Sequence, residues 1–150
     1  MKIWVDADAC PAVIKNILFK AAQRTRIQLT LVANQPMHIP RLKWVTLLQV
    51  ASGFDVADNE IVKRLEIGDL VITSDIPLAA QVLEKRGHAL SPRGELYSLD
   101  SIRGSLHMRE FKESLRACGV DTGGPPPLTA KNRNAFAGHL DKLLSKRSVT

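Results

Sequence analysis

The sequence predicts an α/β fold: a three-layer sandwich with a central, mostly parallel five-stranded sheet, followed by C-terminal helices. Three observations carry this. Short apolar runs alternate with amphipathic stretches through the first 90 residues, the pattern of βαβ units. The helical stretches open near Pro11 and Pro77 and stop at Gly68 and Gly87, where proline starts a helix and glycine ends one. A chain of 150 residues, 45% hydrophobic, is one domain's worth and can bury a core without staples.

The elements follow in order. Ile3-Trp4-Val5 is a short apolar run that ends in Asp6, a first strand. Behind Pro11, Val13, Ile14, Ile17, Leu18 and Ala21 recur at helical spacing. Ile27, Leu29 and Leu31 alternate with Gln28 and Thr30 and continue into Val32-Ala33, a second strand broken by Asn34-Gln35-Pro36. Trp44 to Val50 reads as a third strand, and the connection leading to it has no helical pattern. Phe54 to Leu65 places Ala57, Ile61, Val62 and Leu65 on one helix face, with Asp55 as its N-cap. Leu70-Val71-Ile72 is a buried-type strand, Leu78 to Arg86 a helix, and His88-Ala89-Leu90 a fifth strand.

Beyond Leu90 the texture changes. Ser91-Pro92-Arg93-Gly94 is a turn. Ser98 to Cys118 is a helix candidate, with Leu99, Ile102, Leu106, Phe111 and Leu115 on its apolar side and Gly104 against it. Residues 121–130, rich in proline and glycine, form a stiff linker to a last helix, Ala130 to Leu144, capped by Thr129. Its stripe is Phe136, Leu140, Leu143 and Leu144, and the tail after it frays. Residues 1–150 are read as a single domain.

Composition excludes several classes. No stretch approaches eighteen apolar residues, so no membrane span is expected. The N-terminal apolar run is too short for a signal peptide, and Cys10 and Cys118 make no disulfide framework; a cytoplasmic protein is expected. The four histidines lack ligand spacing, which disfavours zinc, and there is no Walker loop or GxGxxG. The net charge is +6, compatible with a nucleic-acid partner, and the excess is denser beyond residue 90. Aromatic residues, at 5%, are too few for a base-stacking platform.

In a parallel α/β sheet, ligands bind at the carboxyl ends of the strands. Asp6 and Asp8 follow the first strand and, in an extended chain, would face one spot; Asp75 follows the fourth. Asp58 stands three and four residues before Ile61 and Val62, on the sheet-facing side of its helix. A buried acid needs a partner, and a hard divalent cation, Mg²⁺ or Mn²⁺, would satisfy several carboxylates together. Taken singly, Asp8 and Asp75 read as helix caps. Asp69, at the opposite sheet end, reads as a turn residue. Cys10 reads as a small buried side chain rather than a nucleophile. Arg93 lies beside the same edge as the acids, and Arg93, Lys131 and Arg133 are candidates for contacting a phosphate backbone. Arg103 and Arg109 read as solvated surface.

VDADACP at 5–11, VADNEIV at 56–62, GDLVITSDIPLAA at 68–80, LSPRGELY at 90–97 and GPPPLT at 124–129 resemble the YaiI/YqxD family of uncharacterised bacterial proteins, over nearly the whole chain. That family is thought similar to PIN-like (NYN-type) nucleases, which implies a PIN-like sheet with an acidic metal pocket. By position, the resemblance matches Asp6 to the first-strand acid, Asp58 to the helical acid and Asp75 to the acid after the fourth strand; Asp8 belongs to this family's own motif. The chain departs from the pattern at Asn132, where an acid is expected before the arginine.

The expectation is a Mg²⁺- or Mn²⁺-dependent nuclease in which Asp6, Asp8, Asp58 and Asp75 bind metal and the metal activates water against a phosphodiester. RNA as substrate follows from the fold analogy alone. Two alternatives stay open. One is a non-catalytic RNA- or protein-binding module with a degenerate acidic pocket. The other is an aspartyl phosphotransferase or phosphatase of the haloacid-dehalogenase kind, with Asp6 as nucleophile and Asp8 as acid/base; Cys10-Pro11 and the lack of a late double-acid motif depart from that family's pattern.

Overall fold

The computed structural model describes residues 1–53, 56–103 and 128–146. Strand β1 (Ile3–Asp6) passes through a 3-10 turn (Ala7–Ala9) into helix α1 (Ala12–Thr25). Strands β2 (Leu29–Ala33) and β3 (Val45–Gln49) follow, joined by an extended strap without a helix. Then come α2 (Val56–Arg64), β4 (Leu70–Ile72), α3 (Ile76–Glu84) and β5 (His88–Leu90). The C-terminal helix, here α4, covers Ala130–Lys146. Residues 99–103 are helical, which agrees with the start of the Ser98–Cys118 candidate. The remainder of that candidate, with Gly104 and Arg109, lies outside the described residues, as do Asp55, the linker up to residue 127 and the tail from 147.

The sheet order is β3-β2-β1-β4-β5 with every pair parallel. Among the described residues, an isolated bridge between Leu90 and Leu96 is antiparallel. Strand parity sorts the core into two layers. Ile3, Val5, Leu29, Leu31, Leu70 and Ile72 face α1 and α4, where they meet Ile14, Leu18, Phe136 and Leu140. Trp4, Val32, Val71 and Ala89 face α2 and α3, where they meet Ile61, Leu65, Leu78 and Val82. Asp6 has the parity of Trp4, so it leaves the sheet on the α2/α3 side.

Several boundaries differ from the sequence reading. Pro11 is the N-cap of α1 rather than part of it, and α1 ends at Arg26, left-handed with φ 59°. Helix α3 starts at Ile76, two residues before the expected Leu78. Asp75 caps it, and Pro77 sits in the first turn, where its missing N–H costs nothing. Strand β2 begins at Leu29, not Ile27. In α4, Thr129 and Asn132 form a reciprocal capping pair. The Asn132 N–H donates to Thr129 Oγ1 at 3.1 Å, and the Thr129 N–H donates to Asn132 Oδ1 at 3.0 Å. The asparagine that departs from the family pattern thus does an acid's capping work.

Asp69 corrects a further expectation. It lies at the amino edge as read, yet it is a buried hub rather than a turn residue. Its carboxylate accepts from the Lys2 N–H (2.9 Å), the Trp4 indole (3.1 Å) and the Glu66 N–H (3.0 Å). No helix among the described residues is long and apolar enough to cross a membrane.

Candidate active site

The strand order reverses direction between β1 and β4, and that crevice, at the carboxyl edge, is where open parallel sheets bind ligands. Asp6 ends β1 there, half-buried. Thr73, the first residue past β4, donates its hydroxyl to Asp6 Oδ2 at 3.2 Å. The same hydroxyl oxygen accepts from the Asp75 N–H at 3.0 Å. Asp75 Oδ1 in turn accepts from the Leu78 N–H at 2.9 Å, capping α3. Capping and clustering are therefore not rivals for Asp75: one carboxylate oxygen caps the helix, and the helix start holds the acid at the sheet edge.

Burial pushes the Asp6 carboxyl above its ordinary value, and the negative charges of Asp75 and Asp8 push it further; the Thr73 hydroxyl works in the opposite direction. Asp6, Asp8 and Asp75 thus share one electrostatic neighbourhood.

Asp8 arrives by a different route from the one expected. The chain does not stay extended after Asp6 but turns through Ala7–Ala9. Asp8 does not cap α1 either; its Oδ2 accepts from the Asn34 N–H at 2.9 Å, at the end of β2. The reason is topological. Strand β2 lies beside β1, so the chain leaving β2 at Asn34 passes the turn that carries Asp8.

Helices α2 and α3 each connect parallel strands, so each returns from the carboxyl edge to the amino edge. The first turn of α2, with Asp58 half-buried in it, therefore starts near the same edge as Asp75. No three His, Cys, Asp or Glu side chains among the described residues stand in an arrangement that could hold a metal ion. The four acids do not form a ready cage.

Arg93 is half-buried in the turn after β5. The next residue, Gly94, has φ +87°, and a Cβ there would lie 2.6 Å from the Phe136 backbone nitrogen and 2.7 Å from Ala135 Cβ. The Arg93 turn thus rests directly on the second turn of α4, one turn along from exposed Lys131 and half-buried Arg133. Cys10 is buried, and burial pushes its thiol up to about 12, which leaves it a poor nucleophile.

Sequence reasoning missed Tyr97, the chain's single tyrosine. Its N–H donates to the Ala89 carbonyl at 3.0 Å, which folds it back along β5. Its phenol is pushed up to about 12, first by burial, then by Glu95 and with a contribution from Asp75, while Ser91 works in the opposite direction. A lone tyrosine in a loop carries no local signal; only the return of the chain alongside β5 places it in the core layer under α2 and α3.

Comparison with known proteins agrees with the resemblance drawn from the motifs. The model of the family described as "Uncharacterized BCR, YaiI/YqxD family" matches residues 4–146. A UPF0178 protein of Hydrogenovibrio crunogenus is 64% identical over 146 residues, covering 97% of each chain. A UPF0178 protein of Colwellia psychrerythraea is 60% identical over 150 residues, covering 100% of this chain and 99% of its own. Among solved structures, a mutant of Rae1 (YacP) from Bacillus subtilis is a distant likeness. It has a TM-score of 0.43 and 16% identity, and covers 99% of this chain and 100% of that one. With nearly its full length matched by the family model and by relatives above 60% identity, the chain belongs to the YaiI/YqxD family.

Proposed function

We propose that the carboxyl-edge pocket is a divalent-cation-dependent phosphodiesterase site acting on RNA. The observation that supports it is Asp6: a half-buried carboxyl with one hydroxyl donor, pushed above its ordinary value first by burial and then by the charges of Asp75 and Asp8. Such under-compensated negative charge is what a cation relieves. The donor set is all oxygen, which fits Mg²⁺ or Mn²⁺ and not a softer metal.

Asp6 and Asp75 would hold the ion, with Asp58 and Asp8 holding its waters. When bound, the ion lowers the pKa of a coordinated water and offsets charge on the phosphate. The protein's own contribution is orientation. Thr73 fixes Asp6 Oδ2, and the α3 cap fixes Asp75 Oδ1, leaving one oxygen of each for the cation. Arg93, Lys131 and Arg133 hold the phosphate backbone on the side where the Gly94 turn meets α4. The choice of RNA rests on the fold analogy with PIN-like nucleases that the family resemblance implies.

The test combines calorimetric titration with Mn²⁺ and incubation with labelled RNA, with and without chelator. Chelator-sensitive cleavage, with metal binding lost in Asp6→Asn and Asp58→Asn, is the expected result. RNA binding without cleavage would instead indicate a binding module. A trapped aspartyl-phosphate at Asp6 would indicate a phosphotransferase.

A further inference from the structure

Between Asp8 and Asp55 the sequence contains no acidic residue at all. The same stretch carries Lys15, Lys20, Arg24, Arg26, Arg41 and Lys43. These six equal the whole net charge of +6; the rest of the chain is balanced, fifteen cations against fifteen anions. The surplus therefore belongs to one continuous piece of structure: α1, β2, the strap and β3.

The structure turns this piece into a surface. In the strap, Met37, Ile39, Leu42 and Trp44 pack on the core, while His38, Arg41 and Lys43 point out and are exposed. Lys15 Nζ lies 3.4 Å from Met37 Sδ, so α1 and the strap run side by side. Both run from the carboxyl edge to the amino edge. The strap starts at Asn34, bonded to Asp8, and ends where Leu29 N–H donates to the Trp44 carbonyl at 2.8 Å. Helix α1 starts past Pro11 and ends at Arg26. Arg24 pairs with Asp141 at 2.8 Å, whereas exposed Lys20, Arg26, Arg41 and Lys43 have no acidic partner among the described residues. Lys43 lies 5.2 Å from the Trp44 ring centroid.

We infer that the α1/strap face is a binding track for a nucleic-acid backbone, leading away from the Asp8 end of the pocket. Helix α1, at 14 residues, spans about 21 Å, enough to meet several successive phosphates. A linear polyanion fits cations spaced along α1, from Lys15 through Lys20 to Arg26, and joined by Arg41 and Lys43 where the strap reaches the amino edge. A membrane surface fits less well. Interfacial binding needs exposed large apolar side chains, and the strap turns its own inward. This deepens the reading of RNA as substrate and rests on it only for the choice of probe.

The experiment measures binding of fluorescently labelled single-stranded RNA across a salt series, by anisotropy. Chelator is present and the background is Asp6→Asn, so cleavage plays no part. Lys20→Gln, Arg26→Gln, Arg41→Gln and Lys43→Gln are combined in one variant; all four residues are exposed, and circular dichroism checks the fold. A second variant removes the same charge from the other face, at Lys63, Arg64, Lys85 and Arg86. The first should weaken binding at low salt at least about tenfold and flatten the log–log salt slope by about 2 to 3, while the second leaves the slope nearly unchanged. Equal losses in both variants, no loss in the first, or binding to phosphatidylserine vesicles in place of RNA would each overturn the track. Absence of cleavage in the wild-type protein would count against the catalytic reading alone.

Discussion

The two edges of the sheet each bury an acid, and they treat it in opposite ways. At the amino edge, Asp69 is 2% exposed and accepts three N–H donors, one of them the Trp4 indole. At the carboxyl edge, Asp6, on the same strand face as Trp4, has one hydroxyl donor among the described residues, and its carboxyl is pushed up first by burial and then by the charges of Asp75 and Asp8. A carboxylate surrounded by donors holds the fold together. One surrounded by like charge costs stability and is poised for a ligand. The contrast separates an acid that anchors the fold from one whose charge is poorly compensated, without reference to any relative.

The largest effect that would break this contrast is Asp69→Ala. Three donors in a buried setting would lose their acceptor, and urea denaturation should show a loss of about 3–5 kcal/mol. Thr73→Val, at the other edge, removes the donor to Asp6 and the acceptor of the Asp75 N–H. The expected loss is about 2 kcal/mol, with the Asp6 carboxyl titrating higher still by NMR. Trp4→Phe keeps most of the packing and removes one of the three donors to Asp69. About 1 kcal/mol should be lost, with no change in metal or RNA binding.

Asp6→Asn has the smallest effect on stability, and its sign is reversed. Because the folded-state pKa of Asp6 is raised, the native protein holds its proton more tightly than the unfolded chain. Wild-type stability therefore falls as pH rises from the ordinary value of 3.8 through the raised folded value, and the deficit persists above it. The asparagine variant lacks that deficit. It should match or exceed wild type at neutral pH and gain nothing below pH 3.8, as read by paired urea melts at the two pH values. A destabilised Asn variant at neutral pH would show Asp6 to be a structural acid like Asp69.

The element order was legible because its signals are local. Apolar runs of three to five residues, Pro77 in a first turn and Gly68 at a stop all act within a few residues of themselves. The missing helix between β2 and β3 was legible as well, since 34–44 has no helical period. That Asp6, Asp8 and Asp75 follow strand ends at one edge was readable. Their actual partners were not: the sequence suggested a cap for Asp8, and its N–H donor proved to be Asn34, 26 residues away. The basic face was written in the sequence as an acid-free stretch, but halving the chain near residue 90 hides it.

By itself, then, the amino-acid order determined which segments become strands and helices and which side of β1 carries Asp6, because propensity, capping and strand parity are short-range. Only the tertiary structure decided that Asp69 gathers three donors, that Tyr97 returns along β5, and that α1 and the strap lie side by side as one cationic surface. Those outcomes depend on which parallel strands become neighbours. The packing of the whole core selects that arrangement, and no short stretch of sequence encodes it.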